Sequence, residues 1–199
     1  MEIQKLVIAS GNAGKLREIH HLLEPLGIEV LPQSALNIPE VEEPYGTFLE
    51  NALAKARHAS KSSGLPTLAD DSGICVNTLN GGPGVYSARY AGEPRSDERN
   101  NQKLVDILRN LTDRRAHYYC VMVLVRHADD PQPILADAAW HGEIILEPRG
   151  VGGFGYDPYF FLPHLGKTAA ELPMEQKNRI SHRGKALARL AKSIREEII

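Results

Sequence analysis

Leu68-Ala69-Asp70-Asp71-Ser72-Gly73 is the stretch around which the rest of the chain is organised. Its apolar start is typical of a buried strand, and two adjacent carboxylates, a hydroxyl and a glycine follow. Ionised carboxylates side by side repel each other, and at the end of a buried strand they are costly unless a cation lies beside them. Hard divalent cations such as magnesium prefer oxygen clusters of this kind. Because Asp, Ser and Gly are also ordinary turn residues, the motif alone leaves a solvated Asp-Asp turn as the alternative.

The composition narrows the class of protein. The length of 199 residues predicts one domain, 1–199, with its own core. The net charge of -2 argues against broad electrostatic binding to nucleic acid, and no apolar run is long enough to span a bilayer. Cys75 and Cys120 stand alone, without a Cys-x-x-Cys pair. We therefore expect both cysteines in core strands of a protein from a reducing, cytoplasmic setting.

Hydrophobic spacing and capping residues predict the elements. A buried strand over 5–9 leads into a glycine-rich loop, and apolar residues at helical spacing over 16–26 predict a helix that Gly27 ends. Thr47 is expected to cap a second helix, with Glu50 completing a capping box. Later elements are predicted as strands at 118–125, 134–146 and 159–162, a helix at 97–111 with Leu104, Ile107, Leu108 and Leu111 facing inward, and a last helix that Ser181 caps. This mixture of helix-separated and hairpin-like strands predicts an α/β fold with a central mixed β-sheet flanked by helices.

The loop Ser10-Gly11-Asn12-Ala13-Gly14-Lys15 joins the first strand to the first helix. Exposed amides and the positive end of the helix dipole make such a loop a natural phosphate site, and Lys15 adds a mobile cation. The loop is not a Walker A motif, because its glycines are too close together and Leu16 stands where Ser or Thr would hold magnesium. A plain strand-to-helix turn remains the alternative.

Three further segments carry chemistry, and each has a structural alternative. The acidic loop before the second helix offers Glu42 and Glu43 as metal ligands, or is simply solvated. Phe154 has a glycine on either side; a ring held in that way suits stacking on a nucleobase, although it could instead pack on the core. His182 and Arg183 place cations at a helix start, where the dipole opposes them. That placement indicates a ligand, with a charged surface turn as the alternative.

Together these segments predict a metal-dependent nucleotide enzyme, and they resemble the non-canonical purine nucleoside triphosphate pyrophosphatases, the inosine/xanthosine triphosphatase family. The matching stretches follow the family's order along the chain: Ser10–Lys15, Thr47–Ala52, Ala69–Gly73, Gly82–Tyr90, Gly152–Pro158 and Ile180–Arg183. One stretch departs from the pattern, because Glu43-Pro44-Tyr45-Gly46 stands where the family usually has Glu-Thr-Gly. The departure leaves open whether Glu42 or Glu43 faces the metal, and Glu43 is favoured.

The resemblance implies a single elongated α/β domain, a homodimer and Mg²⁺. It implies hydrolysis of inosine, deoxyinosine and xanthosine triphosphates (ITP, dITP and XTP) between the α and β phosphates, which removes them from the nucleotide pool. Asp71 is implied to be the general base or a metal ligand, with Glu43 or Glu42 beside it. The implied substrate contacts are Ser10, Gly11, Asn12, Ala13, Gly14 and Lys15 on the triphosphate, Lys55 and Ser72, and a nucleoside pocket of Phe154, Gly155, Tyr156, Asp157, Lys177, His182 and Arg183.

Two rival interpretations remain open. The first is a related pyrophosphatase acting on modified pyrimidine or methylated guanosine triphosphates, as in the septum-inhibitor-like family, and the Ser181-His182-Arg183 match argues against it. The second is a nucleotide-binding regulatory protein without turnover, which the acidic residues Glu43, Asp70 and Asp71 argue against. For the base, donors on Arg183 and protonated His182 are expected to favour the carbonyl at position six of hypoxanthine or xanthine over the amino group of adenine.

Overall fold

The computed structural model describes residues 3–24 and 27–198. These residues form seven strands and five α-helices. In chain order they are β1 (Lys5–Ile8), α1 (Ala13–Leu23), β2 (Glu29–Pro32), α2 (Phe48–Ser63), β3 (Thr67–Val76), α3 (Asp97–Leu108), β4 (Arg115–Val125), β5 (Ile134–Ile144), β6 (Phe160–Leu162), β7 (Lys167–Thr168), α4 (Met174–Ile180) and α5 (His182–Ile198). None of the helices in this part of the chain is long and apolar enough to cross a membrane.

The strands form one sheet in the order β2-β1-β3-β4-β5-β6-β7. The β1 strand runs parallel to β2 and β3, whereas β6 pairs antiparallel with β5 and β7. The sheet is therefore mixed, and the predicted α/β class is confirmed. The β4 strand lies in the middle of the sheet, and all its side chains over 120–125 are buried, which explains why its sequence is almost continuously apolar.

The described residues group into two compact units. Unit 1 comprises those within 1–71, 120–138 and 183–199, and unit 2 comprises 72–119 and 139–182. Each unit has its own apolar core. The core of unit 1 includes Leu6, Ile19, Leu68, Met122, Leu187 and Leu190. The core of unit 2 includes Ile74, Leu104, Tyr118, Trp140 and Phe160. The single domain 1–199 stays a prediction.

The α1 helix begins directly after Asn12, whose side-chain oxygen accepts hydrogen bonds from the amides of Gly14 (2.9 Å) and Lys15 (3.1 Å). This is a standard N-cap, and it satisfies two of the amides that a helix start leaves unpaired. The helix ends before the predicted Gly27. The predicted apolar position Leu26 lies outside the described residues.

The α2 helix begins after Thr47, as the sequence predicts. The Thr47 hydroxyl accepts from the amide of Glu50 at 3.2 Å and donates to the Glu50 carboxylate at 2.6 Å. In a standard capping box the Glu50 carboxylate would accept from the Thr47 amide. Here it accepts from the Thr47 hydroxyl. Gly64 ends the helix with φ of 71°, a conformation that glycine adopts without steric cost.

Two predictions for the third helix are wrong: the helix ends at Leu108 instead of Leu111, and one residue expected to face inward is exposed. Leu104 and Leu108 are buried as expected, but Ile107 is 39% exposed. The α4 helix and a 3₁₀ helix over Gly84–Arg89 were not predicted from the sequence. Cys75 and Cys120 are both buried in strands with free thiols, as expected.

Candidate active site

Asp70 and Asp71 lie in the middle of β3 and are only 1% and 6% exposed. They are therefore not a solvated turn. Successive side chains of a strand point to opposite faces, so these two chain neighbours have different partners within unit 1. The environment of each carboxylate decides what it can do.

Asp70 is held by two cations. Its Oδ2 lies 3.0 Å from the Lys15 ammonium and 3.4 Å from a guanidinium nitrogen of Arg183. A second nitrogen of Arg183 donates to Glu18, which lies on α1 three residues after Lys15. Burial alone would raise the pKa of Asp70, but the neighbouring cations, Lys15 first, outweigh it and hold the pKa well below its usual range. Asp70 is therefore an ionised anchor for two positive charges.

Asp71 lies among Asn51, Lys55 and Glu43. Its Oδ2 accepts from the Asn51 amide at 3.2 Å, and its Oδ1 lies 3.7 Å from the Lys55 ammonium. Burial raises the pKa of Asp71, and this effect outweighs the opposing charge of Lys55. Asp71 is therefore the carboxylate of this pair with the higher affinity for a proton, which suits a general base.

Lys55 joins Asp71 to the acidic loop, because it also forms an ion pair with Glu43. Burial would lower the pKa of Lys55, but Asp71 and Glu43 outweigh it and raise the pKa. The lysine therefore stays protonated between two carboxylates. Glu42 is exposed, whereas the Glu43 side chain is only 19% exposed, so Glu43 is the loop carboxylate that reaches this cluster.

Asn51 is a functional candidate that the sequence analysis did not single out. It is fully buried, and its amide exchanges two hydrogen bonds with the backbone of Tyr45, at 3.1 and 3.2 Å. Since the same amide donates to Asp71, Asn51 ties the acidic loop to the β3 carboxylate. The available signal was its position four residues before Lys55 on the same helix.

The carboxylates around Lys55 are ligands that suit a magnesium ion. The carboxylates of Asp71 and Glu43 both approach the Lys55 ammonium, so a positive charge already lies between two oxygen ligands. Magnesium at a nucleotide usually takes one or two carboxylates and completes its shell with water and phosphate oxygens. Among residues 3–24 and 27–198, no three Asp, Glu, His or Cys side chains form a ready-made metal cluster. Among the described residues, Asp71 and Glu43 are therefore the two carboxylates that would bind the ion.

The Ser10–Lys15 loop uses several of its amides internally. In addition to the Asn12 cap, the amide of Asn12 donates to the Ser10 hydroxyl at 3.2 Å. An incoming phosphate would therefore exchange with these contacts or bind through side chains and the helix dipole. The Lys15 side chain is 14% exposed and lies on Asp70, so the loop is more than a plain strand-to-helix turn.

Asp157 organises the Phe154 loop in unit 2. It is 2% exposed and accepts hydrogen bonds from the Phe154 amide (2.9 Å), the Lys177 ammonium (2.7 Å) and the Tyr118 hydroxyl (3.2 Å). The Lys177 ammonium also lies 4.7 Å from the centre of the half-buried Phe154 ring. A buried ion pair therefore fixes the ring that the sequence predicts to stack on a base.

Neighbouring residues of the loop anchor it to unit 2. The Tyr156 hydroxyl donates to the carbonyl of Ser87 at 2.7 Å. The amide of Gly155 donates to Asp97 at 2.8 Å, and its carbonyl accepts from Asn101 at 2.9 Å. These hydrogen bonds restrict the conformations open to this glycine-rich segment.

His182 lies in an aromatic stack of unit 2. Its ring is nearly parallel to that of Tyr118, with centroids 4.6 Å apart, and Trp140 lies at 6.3 Å. His182 and Arg183 are 4% and 2% exposed, so the alternative of a charged surface turn is wrong. Ser72, the remaining predicted contact, is half-buried in unit 2.

The predicted residues divide between the units. Those of unit 1 are Ser10–Lys15, Glu42, Glu43, Lys55, Asp71 and Arg183, and those of unit 2 are Ser72, Phe154–Asp157, Lys177 and His182. The Arg183 guanidinium is engaged by Glu18 and Asp70. This arrangement gives Arg183 a role within the charge cluster that the sequence did not indicate.

Comparisons with known proteins agree with the motifs. The dITP/XTP pyrophosphatase of Nitrosomonas europaea is 69% identical over 194 residues, covering 98% of this chain and 96% of that protein. The protein of the same name from Ralstonia nicotianae is 62% identical, covering 97% and 98%. A solved HAM1 protein from Coxiella burnetii superposes with a TM-score of 0.91 at 46% identity, covering 98% and 100%. Residues 6–193 match the profile of the Ham1 family. The chain therefore belongs to the Ham1 family.

Proposed function

We propose that this chain is a nucleoside triphosphate pyrophosphohydrolase that acts on ITP, dITP and XTP. It cleaves the anhydride between the α and β phosphates with water, and the products are a nucleoside monophosphate and pyrophosphate. The observation that carries the proposal is that Asp70 and Asp71 have different partners. Asp70 contacts two cations, whereas Asp71 lies near Lys55, which also pairs with the Glu43 carboxylate. The names of the relatives support the substrate class.

The residues proposed to act on the phosphates lie in unit 1. Lys15 follows the α1 N-terminus, where the helix dipole already favours anions. Asp70 holds the Lys15 ammonium in place, so this donor is oriented before the substrate arrives. A preorganised cation stabilises the charge that develops on the phosphates in the transition state and needs little rearrangement to do so.

Asp71 is the residue proposed to accept the proton of the attacking water. Its buried position raises its pKa, and Asn51 holds its carboxylate in one orientation through a 3.2 Å hydrogen bond. Asp71 and Glu43 would hold Mg²⁺. When bound, the ion neutralises phosphate charge and polarises the phosphorus centre. Lys55 lies between the same two carboxylates and would turn towards the triphosphate as its partner charges are taken up.

The Phe154 loop, which is proposed to bind the nucleobase, lies in unit 2. The Phe154 ring has the Lys177 ammonium near it and its loop fixed by Asp157. Stacking of a purine on such a ring contributes roughly 1–3 kcal/mol to binding. Selection at position six by His182 and Arg183 stays a prediction, as do the homodimer, the absence of nucleic-acid binding and the cytoplasmic location.

Pyrophosphate release across a nucleotide panel tests the proposal. The panel contains ITP, dITP, XTP, GTP, ATP and a methylated guanosine triphosphate, each assayed with and without magnesium. We expect pyrophosphate and a monophosphate from the first three, and only with magnesium. Asp71→Asn serves as the inactive control. Binding without turnover in every case would support the regulatory alternative, and a preference for the methylated nucleotide would support the related specificity.

A further inference from the structure

Glu18 is a buried carboxylate that the motifs do not single out. It lies on α1, is 7% exposed, and forms an ion pair with Arg183. Burying a carboxylate is energetically costly unless a partner of opposite charge compensates it. An acidic side chain in the middle of an amphipathic helix, on the side that faces the core, therefore calls for an explanation.

Glu18 completes an alternating chain of charges within unit 1. Lys15 contacts Asp70, Asp70 contacts Arg183, and Arg183 contacts Glu18. The first and last members are three residues apart on α1, so they share one face of the helix. These four side chains are two cations and two anions. The least buried of them, that of Lys15, is 14% exposed. Removing any single member therefore leaves one buried charge without its balancing partner.

The oxygen Oδ2 of Asp70 is shared between the two cations. The position of Lys15 consequently depends on how strongly Arg183 competes for that oxygen. A carboxylate on the far side of Arg183 takes up part of the guanidinium charge. Without it, the guanidinium would turn fully towards Asp70 and displace the Lys15 ammonium.

We propose that Glu18 is a positioning residue that keeps Lys15 in place for the triphosphate by neutralising Arg183. The inference rests on the proposed function only in assigning Lys15 to the phosphates. Glu18 does not touch the substrate in this account, and its effect reaches the substrate through Arg183, Asp70 and Lys15. A purely structural ion pair would stabilise the fold without changing phosphate binding.

The test is Glu18→Gln, which keeps the shape of the side chain and removes its charge. We expect the KM for ITP and the inhibition constant of pyrophosphate to rise together, by about tenfold to a hundredfold, since a charge-assisted contact to phosphate is weakened. Glu18→Asp keeps the charge and should recover part of the loss. Glu24→Gln is the matched control, because Glu24 follows α1 and is exposed; it should behave like the wild type.

A double variant separates positioning from folding. Glu18→Gln with Arg183→Gln removes one charge of each sign and leaves Lys15 paired with Asp70. Pyrophosphate binding should then return towards the wild-type value, even though base recognition changes, and thermal unfolding should show higher stability than Glu18→Gln alone. This variant also covers the case in which the single variant does not fold.

Two results would overturn the proposal: a folded Glu18→Gln protein with an unchanged inhibition constant, or a double variant that binds pyrophosphate no better than the single one. Pyrophosphate binding by calorimetry, with magnesium present, needs no turnover. If the wild type releases no pyrophosphate from ITP, the proposed function fails, and the role of Glu18 in anion binding is still decided by the calorimetry.

Discussion

Replacing Asp70 and Asp71 separately by Asn makes the same chemical change at adjacent positions, and the two outcomes should be opposite. Asp70→Asn leaves the guanidinium of Arg183 and the ammonium of Lys15 without their shared carboxylate. Breaking a buried ion pair from one side costs about 3–5 kcal/mol. For a chain of this size, each kcal/mol lowers the midpoint of thermal unfolding by about 2–4 °C. We therefore expect Asp70→Asn to unfold about 6–20 °C below the wild type.

Asp71→Asn removes a charge that burial disfavours. The Asn51 amide still finds an oxygen acceptor, and Lys55 keeps its ion pair with Glu43. The unfolding free energy should therefore change by no more than about 1 kcal/mol. Turnover should fall about a hundredfold or more, because the amide can neither accept the proton of water nor bind magnesium as a carboxylate does.

Circular dichroism measures the unfolding of both variants, and pyrophosphate release is assayed at a temperature where both are folded. An Asp70→Asn protein that unfolds within about 2 °C of the wild type would refute the anchoring role of Asp70. Turnover of Asp71→Asn within about threefold of the wild type would refute its place at the centre of the reaction.

Three further changes test other parts of the molecule. Lys15→Ala should raise the KM for ITP about tenfold or more through loss of a charged phosphate contact; an unchanged KM would make its loop a structural turn only. Phe154→Leu should raise the KM for ITP about fivefold to a hundredfold and leave pyrophosphate inhibition unchanged, and equal losses in both would contradict base stacking. Asp130→Asn should lower the free energy of unfolding, measured in urea at pH 7, by about 1–3 kcal/mol. The reason is that Asp130 is buried and accepts hydrogen bonds from Arg126 at 2.8–2.9 Å. Asp129→Asn, at an exposed neighbour, should have little effect. Hydrogen bonds from Arg126 hold the pKa of Asp130 below its ordinary 3.8, so its contribution to stability is present above that pH and lost as the pH falls below it; a difference between wild type and Asp130→Asn that persists in acid would contradict this account.

The sequence by itself determined the fold class and most element types. The burial of β4 follows from an almost unbroken apolar run, and the start and end of α2 follow from Thr47 and Gly64. These features depend on residues a few positions apart, so local patterns record them. Ile107 shows the limit of such patterns, because apolar spacing gives the direction of a helix face only approximately and packing decides how far that face is covered.

Only the tertiary structure decided how the charges of the site are paired. The sequence places Asp70 and Asp71 next to each other but does not show that one holds Lys15 and Arg183 while the other joins Asn51 and Lys55. Glu18 and Arg183 are 165 residues apart in the chain. The strength of a buried ion pair depends on distance and burial in space, and neither quantity leaves a periodic or local signal in the sequence.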